Sequence, residues 1–264
     1  MAHILKEEHN LGNWLSSVSR ETHVLKSVMM IEAVLAPLLL IAGIVLFFLT
    51  GGKGVLIAGG IALFLAAGHW MKLYENYRTA RNVRSGREGE MLIANAFRDG
   101  LDDSWYIIND IDLRFGRMKS QIDHIIIGPN GLFVLETKSW AGHLTGTEKD
   151  PTWRQRKTGR NGKIIDHDLK SPILQNLRHC ETVSALIQAA RLDWPDIYSV
   201  IVLTRNDTHA DITAVTPVVH PAGAVEYVAA KKPTRTYGLH EIAAAIAVLL
   251  PGTCLAPPAT QQEP

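Results

Sequence analysis

The sequence predicts an α/β domain, in which helices flank a mixed central sheet, preceded by a helical hairpin that crosses a membrane. Three observations support this prediction. From Ala33 to Met71 only Lys53 is charged. Beyond residue 88, apolar runs of strand length alternate with segments of helical periodicity. Two of these runs are joined by Pro129-Asn130-Gly131, a sequence typical of a hairpin turn.

The apolar region contains two candidate membrane spans. Ala33–Gly52 and Gly54–Met71 are uncharged, and each approaches the roughly 20 residues that cross a hydrocarbon core of about 30 Å. A signal peptide is disfavoured, because the first run begins far from the N-terminus, contains Pro37 and is followed at once by the second run. A buried hairpin in the core of a soluble domain is the alternative.

Charges beside these spans predict their orientation. Arg20 and Lys26 precede them, and a basic cluster follows, formed by Lys72, Arg78, Arg81, Arg84 and Arg87. Positive flanks stay on the cytoplasmic side. The predicted location is therefore the cell inner membrane, as a multi-pass protein with both termini and the globular domain in the cytoplasm. The basic cluster can contact anionic headgroups, steer nucleic acid or form a solvated linker, and the sequence does not choose among these roles.

Five segments follow from this division of the chain. They are an N-terminal cytoplasmic segment (1–28), a two-helix transmembrane hairpin (29–71), a basic juxtamembrane helix or linker (72–87), an α/β domain (88–250) and a disordered tail (251–264). The net charge of +1 excludes a protein that coats DNA, so nucleic-acid binding would need a local basic patch. The two cysteines, Cys180 and Cys254, are far apart and favour a reducing compartment over a disulfide framework.

The predicted elements of the domain follow in order. Ser171 is a suitable N-cap and Pro172 a suitable first residue for the helix predicted after a polar loop. That loop contains Asp150-Pro151 and extends past Gly162. We predict helices at 88–97, 172–191 and 238–250, and strands at 105–113, 121–128, 131–138, 142–147, 197–204 and 216–220.

The hairpin at 121–138 carries the residues with the clearest chemical potential. Glu136 and Lys138 share one face of their strand, and Asp123 lies within cross-strand reach. Two carboxylates suit Mg²⁺ or Mn²⁺, with the Thr137 carbonyl as a further oxygen ligand. The lysine can orient a water or offset charge on a phosphate. The alternative is an exposed salt bridge.

Longer motifs around this hairpin resemble a known family. Gly86-Arg87-Glu88-Gly89-Glu90 opens a helix, Gln121-Ile122-Asp123-His124 begins a strand, and Glu136-Thr137-Lys138-Ser139-Trp140-Ala141-Gly142 ends the hairpin. In this order they resemble the nuclease-related domain (NERD) of the PD-(D/E)xK restriction-endonuclease-like superfamily, over a core of residues 84–190. The resemblance implies a restriction-endonuclease-like fold and a Mg²⁺- or Mn²⁺-dependent nuclease.

The resemblance also assigns roles to individual residues. Asp123 and Glu136 match the metal-binding carboxylates, Lys138 the catalytic lysine, and Glu90 a further metal or water ligand. The weaker candidates, for substrate binding, are Gln121, His124, Gln175, Arg117 and Lys119.

Structural roles remain open for several of these residues. Glu90 can stabilise the first turn of its helix, His124 can be a packed histidine, and Gln175 an ordinary polar position of a helix. Trp140 and Trp153 can stack on bases, but packing beside the sheet is the default expectation.

The resulting functional prediction is a membrane-anchored nuclease that hydrolyses phosphodiester bonds, with DNA favoured as substrate. One alternative is a catalytically silent module that binds nucleic acid or a protein from the membrane. Another is a structural protein whose essential part is the apolar hairpin. The chain contains no Cys-x-x-Cys or His-Glu-x-x-His motif, so zinc is not indicated.

Overall fold

The chain folds into two compact units. One comprises Met1–Glu8 and Gly86–Pro264, and the other comprises His9–Ser85. The computed structural model describes residues 1–6, isolated helical positions between 23 and 49, and residues 54–253 except 160. The predicted disordered tail lies outside the described residues from position 254 onward.

A single long helix, α1, spans Gly54–Gly100. The sequence suggested separate segments here, but the range contains no proline, and a change from apolar to basic composition does not by itself end a helix. Within the part of the chain that the structure describes, no helix is both long and apolar enough to cross a membrane. The predicted two-helix anchor at 29–71 is therefore not supported, and most of its first half lies outside the described residues.

The larger sheet has six strands in the order β1-β2-β3-β4-β8-β10. The strand pairs β2–β3 and β3–β4 are antiparallel, whereas β1–β2, β4–β8 and β8–β10 are parallel. The sheet is therefore mixed, as predicted. Its strands are β1 His3–Lys6, β2 Tyr106–Phe115, β3 Met118–Gly128, β4 Gly131–Lys138, β8 Ile197–Leu203 and β10 Val218–Val219.

A second, four-stranded sheet has the order β7-β6-β5-β9. Its strands are β5 Gly142–Thr147, β6 Thr152–Thr158, β7 Ile164–Lys170 and β9 Thr208–Thr213. The prediction of a polar loop between β5 and the following helix was wrong, because this region forms the β6–β7 hairpin. Trp153 is fully buried, and Arg156 donates to Asp166 across the two strands, with Nε–Oδ1 at 2.9 Å.

Helices cover both faces of the larger sheet. On one face, α2 (Pro172–Ala189) and α4 (Leu239–Leu249) pack on a core that includes Val134 and Val183. On the other, the C-terminal part of α1 and α3 (Pro221–Ala230) pack on a core that includes Phe97 and Phe133. The mixed α/β architecture with helix-flanked sheets is confirmed. Strands β1 and β9 and helix α3 were not predicted.

Candidate active site

The site lies where β3 and β4 separate. Their antiparallel pairing ends at His124–Leu135. Beyond this pair, the N–H of Thr137, two residues further along β4, donates to Oδ2 of Asp123, the residue next to His124 in β3, at 2.7 Å. A side-chain carboxylate therefore accepts from the β4 backbone just beyond the last paired position. Meanwhile β4 stays paired with β8 as far as Lys138–Leu203, so the strand that carries Glu136 and Lys138 is fixed on its other side.

Glu136 and Lys138 form an ion pair on the face covered by α2. Lys138 Nζ lies 2.5 Å from Glu136 Oε1, and it also donates to Gln175 Oε1 at 3.3 Å. His179 Nε2 lies 3.4 Å from Glu136 Oε2. Gln175 and His179 are four residues apart, so they share one face of α2. This helix therefore contacts both members of the pair.

Asn176 anchors α2 to the sheet between those two residues. Its Nδ2 donates to the Val134 carbonyl at 2.8 Å and to Ser199 Oγ at 2.9 Å. It also lies 3.3 Å from the Val200 carbonyl. Because Asn176 is fully buried, these bonds fix the height of α2 against β4 and β8 and thereby place Gln175 and His179.

Glu90 approaches the site from α1. The preceding residue, Gly89, is buried, and a Cβ there would lie 2.8 Å from Thr204 Oγ1. Thr204 follows β8 directly, and its N–H donates to the Lys138 carbonyl at 3.1 Å. Glycine therefore lets α1 come close to the end of the strands that carry the site. The charge of Glu90 raises the pKa of the Asp123 carboxyl group.

The electrostatics of the site centre on Asp123. Burial raises the pKa of its carboxyl group well above the usual range, and the charges of Glu136 and Glu90 raise it further. The Thr137 N–H and the Lys138 ammonium act in the opposite direction. The charges of two other carboxylates therefore raise the pKa of Asp123 and one ammonium lowers it, a balance that a bound cation would shift toward the ionised carboxylate.

The residues present fit a hard divalent cation held by few protein ligands. Glu136 is only 2% exposed, and its Oε2 has no hydrogen-bond partner among the described residues. No group of three His, Cys, Asp or Glu side chains suited to enclose a metal occurs in the described part of the chain. Mg²⁺ commonly takes only one or two protein carboxylates and keeps several waters. Asp123 and Glu136 meet that requirement, and Glu90 as a third ligand remains a prediction.

The weaker candidates lie in different places. Gln175 contacts Lys138, as described. Gln121 is exposed, and its Nε2 donates to Asp110 Oδ1 at 3.1 Å. His124 is fully buried, and its Nδ1 lies 2.8 Å from Asn109 Oδ1. Their side chains therefore bond to β2.

The basic residues of the β2–β3 hairpin lie further from the site. Arg117 and Lys119 are exposed near the turn. Strand geometry puts Lys119 about 13 Å from Asp123 along β3, so any role in substrate binding would concern a more distant part of the substrate. In β6, Arg154 and Arg156 both pair with Asp166, which reduces the positive charge of that cluster.

The structure adds residues that sequence reasoning did not select. His179 and Asn176 were not assigned roles, although their spacing from Gln175 on a predicted helix is a usable signal. Trp140 is half-buried and packs edge to face on Trp153, with ring centroids 6.4 Å apart. Lys138 Nζ lies 5.8 Å from the Trp140 ring centroid. Both tryptophans are therefore packed against other side chains, which was the default expectation for them.

Comparisons with known proteins cover part of the chain. An uncharacterized protein of Bacillus anthracis is 30% identical over 105 residues, which is 39% of this chain and 47% of that protein. The chain thus spans about half of that relative's length. No solved structure is significantly similar. Residues 85–204, which include Glu90, Asp123, Glu136 and Lys138, match the family model of the nuclease-related domain, NERD.

Proposed function

We propose that this protein is a metal-dependent nuclease that hydrolyses phosphodiester bonds in nucleic acid. The observation that carries the proposal is the convergence of Asp123, Glu136 and Lys138 where β3 and β4 separate, with one buried Glu136 oxygen that has no hydrogen-bond partner in the described part of the chain. The match to the nuclease-related domain over residues 85–204 supports it. The mixed sheet with α1 and α2 on opposite faces supports a restriction-endonuclease-like fold as part of the same proposal.

Asp123 and Glu136 would hold Mg²⁺ or Mn²⁺, with Glu90 assisting through the metal or a bound water. Such an ion, when bound, polarises the phosphate and lowers the pKa of a coordinated water. Asp123 is held for this role by the Thr137 N–H at 2.7 Å. Glu136 is held by Lys138 on one oxygen and faces His179 with the other.

Lys138 would position the attacking water and offset charge that develops on the phosphate oxygens. Its ammonium contacts Glu136 and Gln175 simultaneously, and this arrangement restricts a flexible side chain to one direction. A positioned ammonium in a partly buried site stabilises developing negative charge more strongly than one in bulk water. In-line attack on phosphorus would then release a 3′- or 5′-terminal hydroxyl.

DNA is the favoured substrate, because the resemblance is to a restriction-endonuclease-like superfamily. The alternative is a module that binds nucleic acid or a protein without cleaving it. The nuclease and the binding module make different demands on Lys138. A binding module needs the charge of the lysine, whereas the nuclease also needs its position beside the carboxylates. Lys138→Arg keeps the charge and changes the geometry, so it separates them.

Membrane attachment through residues 29–71, with the nuclease-related domain in the cytoplasm, is a further part of the proposal and rests on the sequence alone. The uncharged runs before and after Lys53 and the basic flanks support it. Extraction of cell membranes with alkaline carbonate tests it. Retention of the full chain in the membrane pellet is expected, and its release into the supernatant would contradict membrane insertion.

The proposed activity is tested with the full chain, incubated with labelled DNA and RNA in Mg²⁺, Mn²⁺ or EDTA. Wild type is compared with Asp123→Asn, Lys138→Ala and Lys138→Arg. We expect cleavage that depends on the metal and is lost in all three variants. If the folded wild type binds nucleic acid and does not cleave it, and the lysine-to-arginine variant binds equally well, the binding module replaces the nuclease.

A further inference from the structure

Strands β2 and β3 are distorted at the position of Asp123. Their paired residues run from Tyr106–Ile127 to Asn109–His124 and resume at Ile111–Ile122. Asp110 and Asp123 lie opposite each other between these pairs, but the two residues are not paired with each other. Asp110 has a φ of 45°, a left-handed conformation that is strained for a residue other than glycine.

The distortion reverses the direction of the side chains on both strands. Ile108 and Ile111 contribute to the same hydrophobic core although they are three residues apart. Ile125 and Ile122 do the same on the partner strand. In a regular strand only residues an even number apart share a face. The alternation of side chains between the two faces of the sheet therefore changes at Asp110 in β2 and at Asp123 in β3. As a result, Asp123 does not take the core position that regular alternation would give it.

Two cross-strand hydrogen bonds flank the distorted pair. On one side, His124 Nδ1 lies 2.8 Å from Asn109 Oδ1, and both residues are buried. On the other, Gln121 Nε2 donates to Asp110 Oδ1 at 3.1 Å. Lys6 Nζ, from β1, donates to the Asp110 carbonyl. These bonds can offset the strain at Asp110, and the two that involve the Asp110 carboxylate or the Lys6 ammonium are bonds of a charged group, which are stronger than neutral ones.

We propose that Asn109, Asp110, Gln121 and His124 are positioning residues that hold the distorted pair and so direct Asp123 to the Thr137 N–H and the site. The importance of this role for cleavage rests on the proposed nuclease function, whereas the positioning itself is a structural property. It gives Gln121 and His124 a task that does not involve contact with substrate.

Gln121 and Asp110 give the sharpest test. Gln121 is exposed, so Gln121→Ala removes one bond without opening a cavity. Asp110→Gly keeps the left-handed backbone and removes the acceptor. Asp110→Asn keeps an acceptor oxygen, and asparagine tolerates the left-handed conformation. Gln188→Ala is the matched control, because Gln188 is also exposed and its Nε2 donates to Ser184 Oγ at 3.1 Å, within its own helix and away from the distorted pair.

Two readouts are measured on the full chain labelled with ¹⁵N-threonine. The first is the amide proton shift of Thr137, assigned with Thr137→Ser and calibrated with Asp123→Ala. We expect Gln121→Ala and Asp110→Gly to move it toward the Asp123→Ala value and Asp110→Asn to restore it. The second is kcat against KM for DNA. We expect kcat to fall roughly ten- to a hundredfold with KM unchanged, since misplacement by about 1 Å can cost a hundredfold.

The outcomes separate the positioning from the nuclease activity. If wild type does not cleave, the nuclease proposal fails, and the Thr137 resonance still decides whether Asp123 is positioned as inferred. If that resonance stays at its wild-type shift in Gln121→Ala and Asp110→Gly, the positioning inference is overturned. His124→Gln tests the buried bond to Asn109 in the same way. If that variant does not fold, the Thr137 shift in Gln121→Ala, a change at an exposed residue, decides whether Asp123 is positioned as inferred.

Discussion

Gly89 of α1 and Thr204 at the end of β8 approach so closely that a Cβ on the glycine would lie 2.8 Å from the threonine hydroxyl and 3.2 Å from its Cγ2. Threonine is branched at Cβ, so its side chain has little freedom to move away. Glu90 is the next residue of α1, and its charge raises the pKa of the Asp123 carboxyl group. The glycine of the Gly-Glu motif is therefore required by the packing of α1 on the sheet.

Gly89→Ala is expected to destabilise the domain by about 1–3 kcal/mol through overpacking and to lower cleavage by moving Glu90. Gly86→Ala is the matched control, because among the described residues, its own helix backbone aside, no atom lies within 4 Å of the Cβ that it would add. It should be neutral or stabilise the helix by up to about 1 kcal/mol. Denaturant unfolding of both variants checks this, and equal effects at the two glycines would refute the packing argument.

Asn176 and Gln175 are adjacent in α2 and should separate stability from activity. Asn176→Ala removes the bonds to the Val134 and Val200 carbonyls and opens a buried cavity, which should cost about 2–4 kcal/mol. Gln175→Ala removes a half-buried contact to Lys138 and should lower kcat with little change in stability. Thermal unfolding and cleavage rates are measured for both. Similar losses of stability in the two variants would show that Gln175 is structural.

His179 should tune the binding of the metal through Glu136. Its Nε2 lies 3.4 Å from Glu136 Oε2, and loss of such a supporting residue typically weakens metal affinity or activity about 10- to 100-fold. We therefore expect His179→Ala to raise the Mg²⁺ concentration that gives half-maximal cleavage. The control is His167→Ala, an exposed residue of β7. An unchanged Mg²⁺ requirement in His179→Ala would remove His179 from the site.

His124 should make the fold sensitive to mild acid. Burial lowers its pKa from 6.5 to about 3, against a smaller opposing effect of Asp110. Above pH 6.5 the histidine is neutral in the folded and the unfolded chain, so it contributes no pH dependence. Between 6.5 and about 3 only the unfolded chain gains the proton. The free energy of unfolding should then fall by on the order of 1 kcal/mol per pH unit as the pH decreases.

Unfolding in denaturant at pH 7.5, 6 and 5 measures this effect. His124→Gln lacks the titrating ring and should show a shallower decline with falling pH than wild type, even if it is less stable at neutral pH. Parallel declines for the two proteins would mean that the imidazole is protonated in the folded state.

Local patterns were sufficient to predict the hairpin of β3 and β4. Their apolar runs flank a turn at Pro129-Asn130-Gly131, and the structure has strands at Met118–Gly128 and Gly131–Lys138. The same was true of α2, where Ser171 accepts from the Leu174 N–H at 3.4 Å and Pro172 occupies the first turn. Signals for these elements lie within a few residues, so no tertiary information was needed.

The polar hairpin of β6 and β7 lacked such a signal. Most of its side chains are exposed, so the alternation that identifies a half-buried strand is weak. Its burial depends chiefly on Trp153, and its charges are paired across strands. The contact of His179 with Glu136 was equally inaccessible from local patterns, since it depends on how α2 packs on the sheet. Glu90 was selected only through the family resemblance, because its effect on Asp123 depends on how α1 packs on the opposite face.

The most direct test of the account is the single-turnover rate of DNA cleavage by the full chain, measured as a function of free Mg²⁺ for wild type and Glu136→Gln. Glutamine keeps the size of the side chain and removes the charge that the metal requires. We predict a saturable dependence on Mg²⁺ in wild type, abolished by EDTA, and no saturable cleavage in the variant. Cleavage that persists in EDTA, or one Mg²⁺ curve shared by both proteins, would contradict a metal site built on Glu136 and Asp123.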